Sequence, residues 1–206
     1  NYIQGLQGDD PRYLKTVATP KHYAVLSGPE KERHYFDAVV SERDLRMTYL
    51  PAFKACITEA KAYSIMGAYN RVNGEASCAS PTLLQKILRE EWGFEGYVVS
   101  DCGAIDDIWS NHMLVKTGAE AAALAVKTGC DLECGCTYGI PCDYGYLDKA
   151  VQQNLLTEED INRAVKRLFM ARFRLGMFDP DDQVAYAQIP YSIVDSPEHR
   201  QLALEV

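Results

Sequence analysis

Four short apolar runs, each followed by a stretch with helical spacing, constrain the fold more than any other feature of this chain. The runs lie at residues 16–19, 64–69, 96–100 and 130–134. The third is the most informative: Gly96-Tyr97-Val98-Val99-Ser100 has the β-branched character of a fully buried strand and runs without a spacer into Asp101 and the turn Cys102-Gly103. A carboxylate at the end of an apolar strand could simply cap the next helix. Each of the other runs also ends in a polar cluster, and that repetition favours a site.

The intervening stretches carry helix signals. Ser41 precedes an acidic first turn, and Pro51 opens a second helical piece that points Phe53 and Ile57 inward. Ser80-Pro81 starts a helix with Leu83, Leu84, Ile87 and Leu88 on one face and Gly93 at its end. Residues 105–109 and 119–127 continue the pattern up to Gly129. Thr157 caps the longest helix, where Ile161, Ala164, Val165, Leu168 and Phe169 recur at helical spacing before Gly176. Arg172 and Arg174 suit its C-terminal dipole. Residues 1–13 read as the end of a helix and a polar turn, with a further short helix after them. Strand and helix alternating in this way imply an α/β fold with a parallel sheet and right-handed crossovers. Four strands fit either a doubly wound sheet or part of a (β/α)8 TIM barrel, whose active site sits on the loops that follow the strands.

The 206 residues suffice for one substantial domain or two small ones, and 47% hydrophobic content can fill a core. A net charge of -8 argues against a nucleic-acid backbone or an anionic membrane as partner, and leaves a neutral polyol indifferent. No apolar run approaches the ~20 residues that span a bilayer, and no signal peptide is visible in a chain that opens on Asn1. The seven cysteines are an odd number without paired C-x-x-C spacing, so Cys130, Cys134, Cys136 and Cys142 are expected to be core or loop thiols. One bridge between neighbouring loops, such as Cys78 to Cys102, is left open. No metal or other cofactor is expected.

The segment Leu88-Arg89-Glu90-Glu91-Trp92-Gly93-Phe94-Glu95-Gly96-Tyr97-Val98-Val99-Ser100-Asp101 resembles the nucleophile signature of glycoside hydrolase family 3, which includes β-glucosidases and β-xylosidases. Lys21-His22, Met66-Gly67-Ala68-Tyr69-Asn70-Arg71-Val72-Asn73-Gly74 and residues 164–180 also resemble family segments, in the family's order. The resemblance implies the second half of the family's TIM barrel (about four βα units) over residues 1–178. A linker over 179–195 and the first helix of a following α/β sandwich domain over 196–206 would complete the chain. The missing barrel half and the later domain would belong to the parent chain. The resemblance favours a periplasmic or secreted parent and leaves a cytoplasmic one open.

Retaining glycoside hydrolysis uses two carboxyl groups about 5 Å apart. By the resemblance Asp101 is the nucleophile, and Lys21 and Tyr69 are expected to supply the donors or charge that keep it ionised. Lys21 and His22 match the pair that binds sugar hydroxyls, though taken singly they read as a solvent lysine and a core histidine. Met66 and Tyr69 resemble residues lining the same subsite, although Met66 alone would be ordinary core. Arg71 reads equally as a site residue or as half of an ion pair with a loop carboxylate. The implied substrate is an oligosaccharide or aryl glycoside. Cys102 stands where many family β-glucosidases carry tryptophan, which leans the reading toward xylose. The glycine- and histidine-rich loop of the N-acetylglucosaminidase branch is missing after Lys21-His22, and His34 lies too far along to replace it. The acid/base of the glucosidase and xylosidase branches comes from the later domain, so Glu133, the local candidate for proton donor, reads as a pocket or loop residue. Asp106 and Asp107 read as capping or solvated groups. Two other readings stand beside this one: a Schiff-base aldolase using Lys21, and a sugar-binding fragment without catalysis.

Overall fold

The expected alternation does bring parallel strands together, but the regular strands are shorter than the apolar runs. The computed structural model describes residues 1–135 and 143–206; Cys136, Cys142 and most of the glycine- and tyrosine-rich loop after Cys134 lie outside the described residues. The chain enters through α1 (Tyr2–Gln7). No second helix follows: the N–H groups of Arg12 and Tyr13 both go to Asp10 Oδ1 at 2.8 Å, and that of Leu14 goes to the distant Arg174 carbonyl at 2.6 Å. The first two bonds are those a helix cap makes, but the Leu14 N–H, the first that a helical ladder would need, is spent on Arg174, so no helical turn follows. Then come β1 (Asp37–Ala38), α2 (Glu42–Asp44), a wide turn over Leu45–Tyr49, α3 (Pro51–Thr58), β2 (Ser64–Met66), β3 (Arg71–Val72) and β4 (Glu75–Ala76). A wide helix over Pro81–Glu91 leads into β5 (Tyr97–Val99), followed by α4 (Ala104–Ser110), α5 (Gly118–Thr128), α6 (Leu147–Gln152), α7 (Glu158–Arg174) and α8 (Pro197–Glu205).

The helix starts fall where the caps place them. Ser41, Ser80 and Thr157 each accept a backbone N–H three residues on, and Thr157 and Asp160 close a reciprocal capping box. Leu83, Leu84, Ile87 and Leu88 are all buried on one face of the Pro81–Glu91 helix, packed in a core that includes Tyr23, Ile65, Val98, Ile105 and Ile108. Each such aliphatic side chain contributes about 1.5–3 kcal/mol when taken fully out of water. A smaller cluster of Ala119, Ala123, Val126, Ala150 and Leu156 joins α5 to α6.

β2 and β5 pair in parallel, Ser64 with Tyr97 and Met66 with Val99. The first and last apolar runs lie beside them in chain order: the Ser64 N–H meets the Ala18 carbonyl at 3.3 Å, Tyr23 just beyond the first run bridges Gly67, and Leu132 bridges Val99. Neither of those runs is the regular strand expected from sequence. Pro20 lacks the N–H that a ladder needs, and the Asp131 carboxylate takes the Val98 N–H at 2.9 Å. The loop expected at 70–74 is instead the hairpin β3–β4, turning on Asn73 and Gly74 with positive φ, and β3 pairs in parallel with β1.

Residues 181–193 form three short 3-10 turns. They are tied to the N-terminal segment, since the Tyr186 hydroxyl accepts from the N–H groups of Asp9 and Asp10 at 3.0 and 3.1 Å. Gly176, at φ 71°, leaves room for Val184, whose Cγ2 would lie 2.7 Å from any added Cβ.

Asp131 holds the sheet to two helices. Its side chain is 1% exposed and takes Arg89 at 3.0 Å and Arg167 at 2.8 Å. Burial, with Arg167 next, pushes the Arg89 guanidinium down to about 10. Removing the shared anion would leave two partly buried cations opposed. Asp131→Ala is expected to cost about 3–5 kcal/mol of unfolding free energy, read as a drop in urea midpoint.

Candidate functional site

The end of β5 meets the end of β2 at Gly67, whose N–H reaches the Val99 carbonyl at 2.8 Å and whose carbonyl accepts the Asp101 N–H at 3.1 Å. Asp101 is thereby held at the strand end, and the turn behind it is sharp. Gly103 sits at φ 81° as the N-cap of α4, and the Ala104 N–H returns to the Asp101 carbonyl at 3.0 Å.

Asp101 is 8% exposed, so its carboxylate needs partners. Oδ1 accepts the Cys102 N–H at 2.8 Å, and Oδ2 lies 3.1 Å from His22 Nε2. The Tyr69 phenol faces the same carboxylate: burial, followed by the Asp101 charge and polar contact with it, pushes the phenol up to about 12. Tyr69 thus stays a neutral O–H donor throughout the working range.

The structure brings Asp101, His22 and Tyr69 together. Met66 ends β2 half-buried, one residue before Gly67. Lys21 is exposed beside His22, on the wall of a small cavity shared with Val25, Leu26, Tyr49 and Phe53. It makes no hydrogen bond or ion pair to Asp101, so the support expected from it comes instead from His22 and the Cys102 N–H. An ammonium keeps its hydration unless a buried partner compensates. Arg71 lies on β3 and donates Nη2 to the Tyr35 carbonyl at 3.1 Å. Among the described residues it pairs with no carboxylate, which corrects the ion-pair alternative. Glu133 is half-buried, next to Cys134.

Cys102 and Cys134 are joined by a disulfide, and the Gly103 N–H meets the Cys134 carbonyl at 2.8 Å. The bridge does link neighbouring strand-end loops, but its partners differ from the Cys78–Cys102 pairing left open by the sequence, and Cys134 is not a loop thiol. Cys78 is buried with its Sγ donating to the Ala68 carbonyl at 3.4 Å. Cys56 is a free thiol.

Two residues escaped the sequence reading. Asp107 is neither a cap nor solvated: its side chain is 3% exposed, with Oδ2 2.7 Å from His34 Nδ1 and Oδ1 2.5 Å from Asn111 Nδ2. The His34 ring packs on Tyr69, centroids 4.5 Å apart. Of the two adjacent carboxylates in α4, Asp106 bonds Ser110 on its own helix, so the helical offset between neighbours was the available signal that Asp107 turns inward.

A nearly buried carboxylate at the end of a parallel strand, met by a histidine and a tyrosine in a mixed α/β domain, defines the strand-end type of functional site. Residues 1–171 match the model of the glycosyl hydrolase family 3 N-terminal domain, and the chain belongs to that family. It is 43% identical over 206 residues to a xylan 1,4-beta-xylosidase of Xylanibacter ruminicola, covering 99% of this chain and 24% of that protein. It is 44% identical over 208 residues to a probable exo-1,4-beta-xylosidase of Aspergillus terreus, covering 98% and 26%. Among solved structures, a family 3 exo-beta-xylosidase in complex with a xylobiose aziridine activity-based probe superposes with a TM-score of 0.90 at 34% identity, over 99% of this chain and 26% of that one. A β-glucosidase from Erythrobacter marinus superposes at 0.84 and 32% identity, over 98% and 26%. The chain therefore spans about a quarter of the length of these relatives.

His112, next to this cluster, is 5% exposed, and burial, with the Arg71 charge second, pushes it down to about 4. The unfolded chain, with an ordinary value near 6.5, takes up that proton first. Stability from this group is therefore complete above about pH 6.5 and is lost as the pH falls toward 4. The loss is at most about 3 kcal/mol, and His112→Leu is expected to flatten that limb in urea midpoints measured from pH 7 to pH 4.

Proposed function

We propose that this chain is the nucleophile-bearing part of a retaining, exo-acting β-glycosidase of the β-xylosidase or β-glucosidase type. The observation that carries the reading is the Asp101 carboxylate at the end of β5, 3.1 Å from His22 and faced by Tyr69. An Asp101 oxygen attacks the anomeric carbon of a terminal sugar while the bond to the departing oxygen breaks and that oxygen takes a proton from an acid. Water, giving up a proton to the same group, then cleaves the glycosyl-aspartate ester and regenerates the carboxylate. The Cys102 N–H on Oδ1 and His22 beside Oδ2 hold the carboxylate aimed. Lys21, His22, Met66 and Arg71 bind or line the terminal sugar.

In this proposal residues 1–178 are the second half of a TIM barrel, 179–195 a linker and 196–206 the opening helix of an α/β sandwich domain. The proton donor lies in that later domain, so the 206 residues alone are inactive. Support comes from relatives named as xylosidases that match over a quarter of their length. Cys102, tied to Cys134, stands where many family β-glucosidases carry tryptophan, which favours xylose over glucose. The aldolase reading gains nothing from an exposed Lys21, since an amine nucleophile is activated by desolvation or by a neighbouring cation.

In the full-length protein that carries this segment, Asp101→Ala is expected to lower kcat/KM on aryl xylosides and aryl glucosides by about 10⁴-fold or more with an unchanged melting temperature. Brisk turnover by that variant would refute the role of Asp101. Expressed alone, the 206 residues expose Phe169, Phe173, Met177 and Phe178 along and just beyond α7, together with unpaired strand edges. They are expected to self-associate in sedimentation velocity runs, and a cooperatively melting monomer would contradict the half-barrel reading.

A further inference from the structure

Tyr69 is gripped at both ends by one stretch of chain. It stands two residues beyond Gly67, whose carbonyl takes the Asp101 N–H at 3.1 Å, and its ring lies against His34, which is held by Asp107 on the helix that follows β5. The Arg33 guanidinium sits over the same ring at 5.4 Å. The loop that brings Arg33 and His34 is pinned behind them by the Arg71 side chain on the Tyr35 carbonyl and by the Arg71 N–H on the Phe36 carbonyl at 2.9 Å. Asp107 is a carboxylate taken out of water with both oxygens occupied. Packing alone would be achieved more cheaply by an apolar pair, so a polar clamp at this position has a use beyond filling space.

We propose that His34 is a positioning residue for attack by Asp101: bridged to Asp107, it sets the tilt of the Tyr69 ring and so keeps the phenol in place beside the nucleophilic carboxylate. The proposal rests on the nucleophile role assigned to Asp101 above. As the carboxylate gives its charge to the anomeric carbon the phenol beside it must stay in place, and a ring free to rock would leave the attacking oxygen misaligned. His34 reaches Asp101 only through Tyr69, so its effect belongs to the chemical step and not to sugar binding.

The test uses the full-length protein with aryl xylosides of graded leaving-group ability. His34→Ala is expected to lower kcat about 10- to 100-fold with KM changed less than about threefold, because small misplacements of a reacting group carry penalties of that size. His34→Asn, whose amide nitrogen can take the place of Nδ1 on Asp107, is expected to recover most of the rate, whereas His34→Gln, with its nitrogen one carbon farther out, is not. That Asn and Gln pair decides the matter even if the alanine variant does not fold. In a Tyr69→Phe background His34→Ala should cost less than about twofold more, since both act through the position of one phenol. Fully additive losses, equal rates for the Asn and Gln variants, or a loss confined to poor leaving groups, which would mark a proton donor, each overturn the proposal. Asp101→Ala run alongside separates the two levels. Retained turnover there removes the nucleophile reading itself, whereas an inert Asp101→Ala with an unaffected His34→Ala removes the His34 role alone.

Discussion

Two backbone hydrogen bonds through Gly67 hold the site in place. They carry the pairing of β2 and β5 one residue beyond the strands, so that Asp101 leaves the sheet at a position set by backbone geometry and not by side-chain packing. Gly67 is where this can happen because Cys78 Sγ would lie 2.7 Å from any Cβ placed there. Close approach of the hairpin side of the chain and continuation of the parallel ladder meet at a residue without a side chain. Everything that touches the Asp101 carboxylate comes from an element anchored on this pairing. His22 lies one residue before the Tyr23 bridge to Gly67, Tyr69 two residues after Gly67, and Cys102 directly after Asp101.

Three buried aspartates in this domain are stabilised in three ways, and the differences match their placement. Asp131, deepest, is held by two guanidiniums and a backbone N–H, which commits both oxygens to architecture. Asp107 is held by a histidine and an asparagine, and burial still pushes its carboxyl above the ordinary range. Asp101 has a backbone N–H, a histidine and a tyrosine, and no guanidinium in contact among the described residues.

Much of this was legible along the chain because the signals are local. Ser80-Pro81 and Thr157 through Asp160 announce their helices within four residues, and β5 carries its carboxylate next to it. The first and fourth apolar runs looked equally strand-like and yet pair by single bridges, because Pro20 withholds a donor and the Asp131 side chain takes one. Lys21 and Tyr69 were the expected partners of Asp101, whereas the contacts of its carboxylate are His22 at 3.1 Å and the Cys102 N–H at 2.8 Å. A sequence motif names which residues stand at a strand end, not which way their side chains face.

What the sequence determined by itself was therefore the place of the capped helices, the parallel pairing of its apolar runs, and the family, since each is written in periodicity, caps and contiguous motifs. What only the tertiary structure decided were pairings between residues far apart in the chain. These are His34 with Asp107 across 73 positions, Cys102 with Cys134 across 32, and Asp131 with Arg89 and Arg167 across 42 and 36. No local propensity distinguishes the right partner from its neighbours over such distances. Only the packed fold, by burying one carboxylate and leaving the next in water, makes the choice.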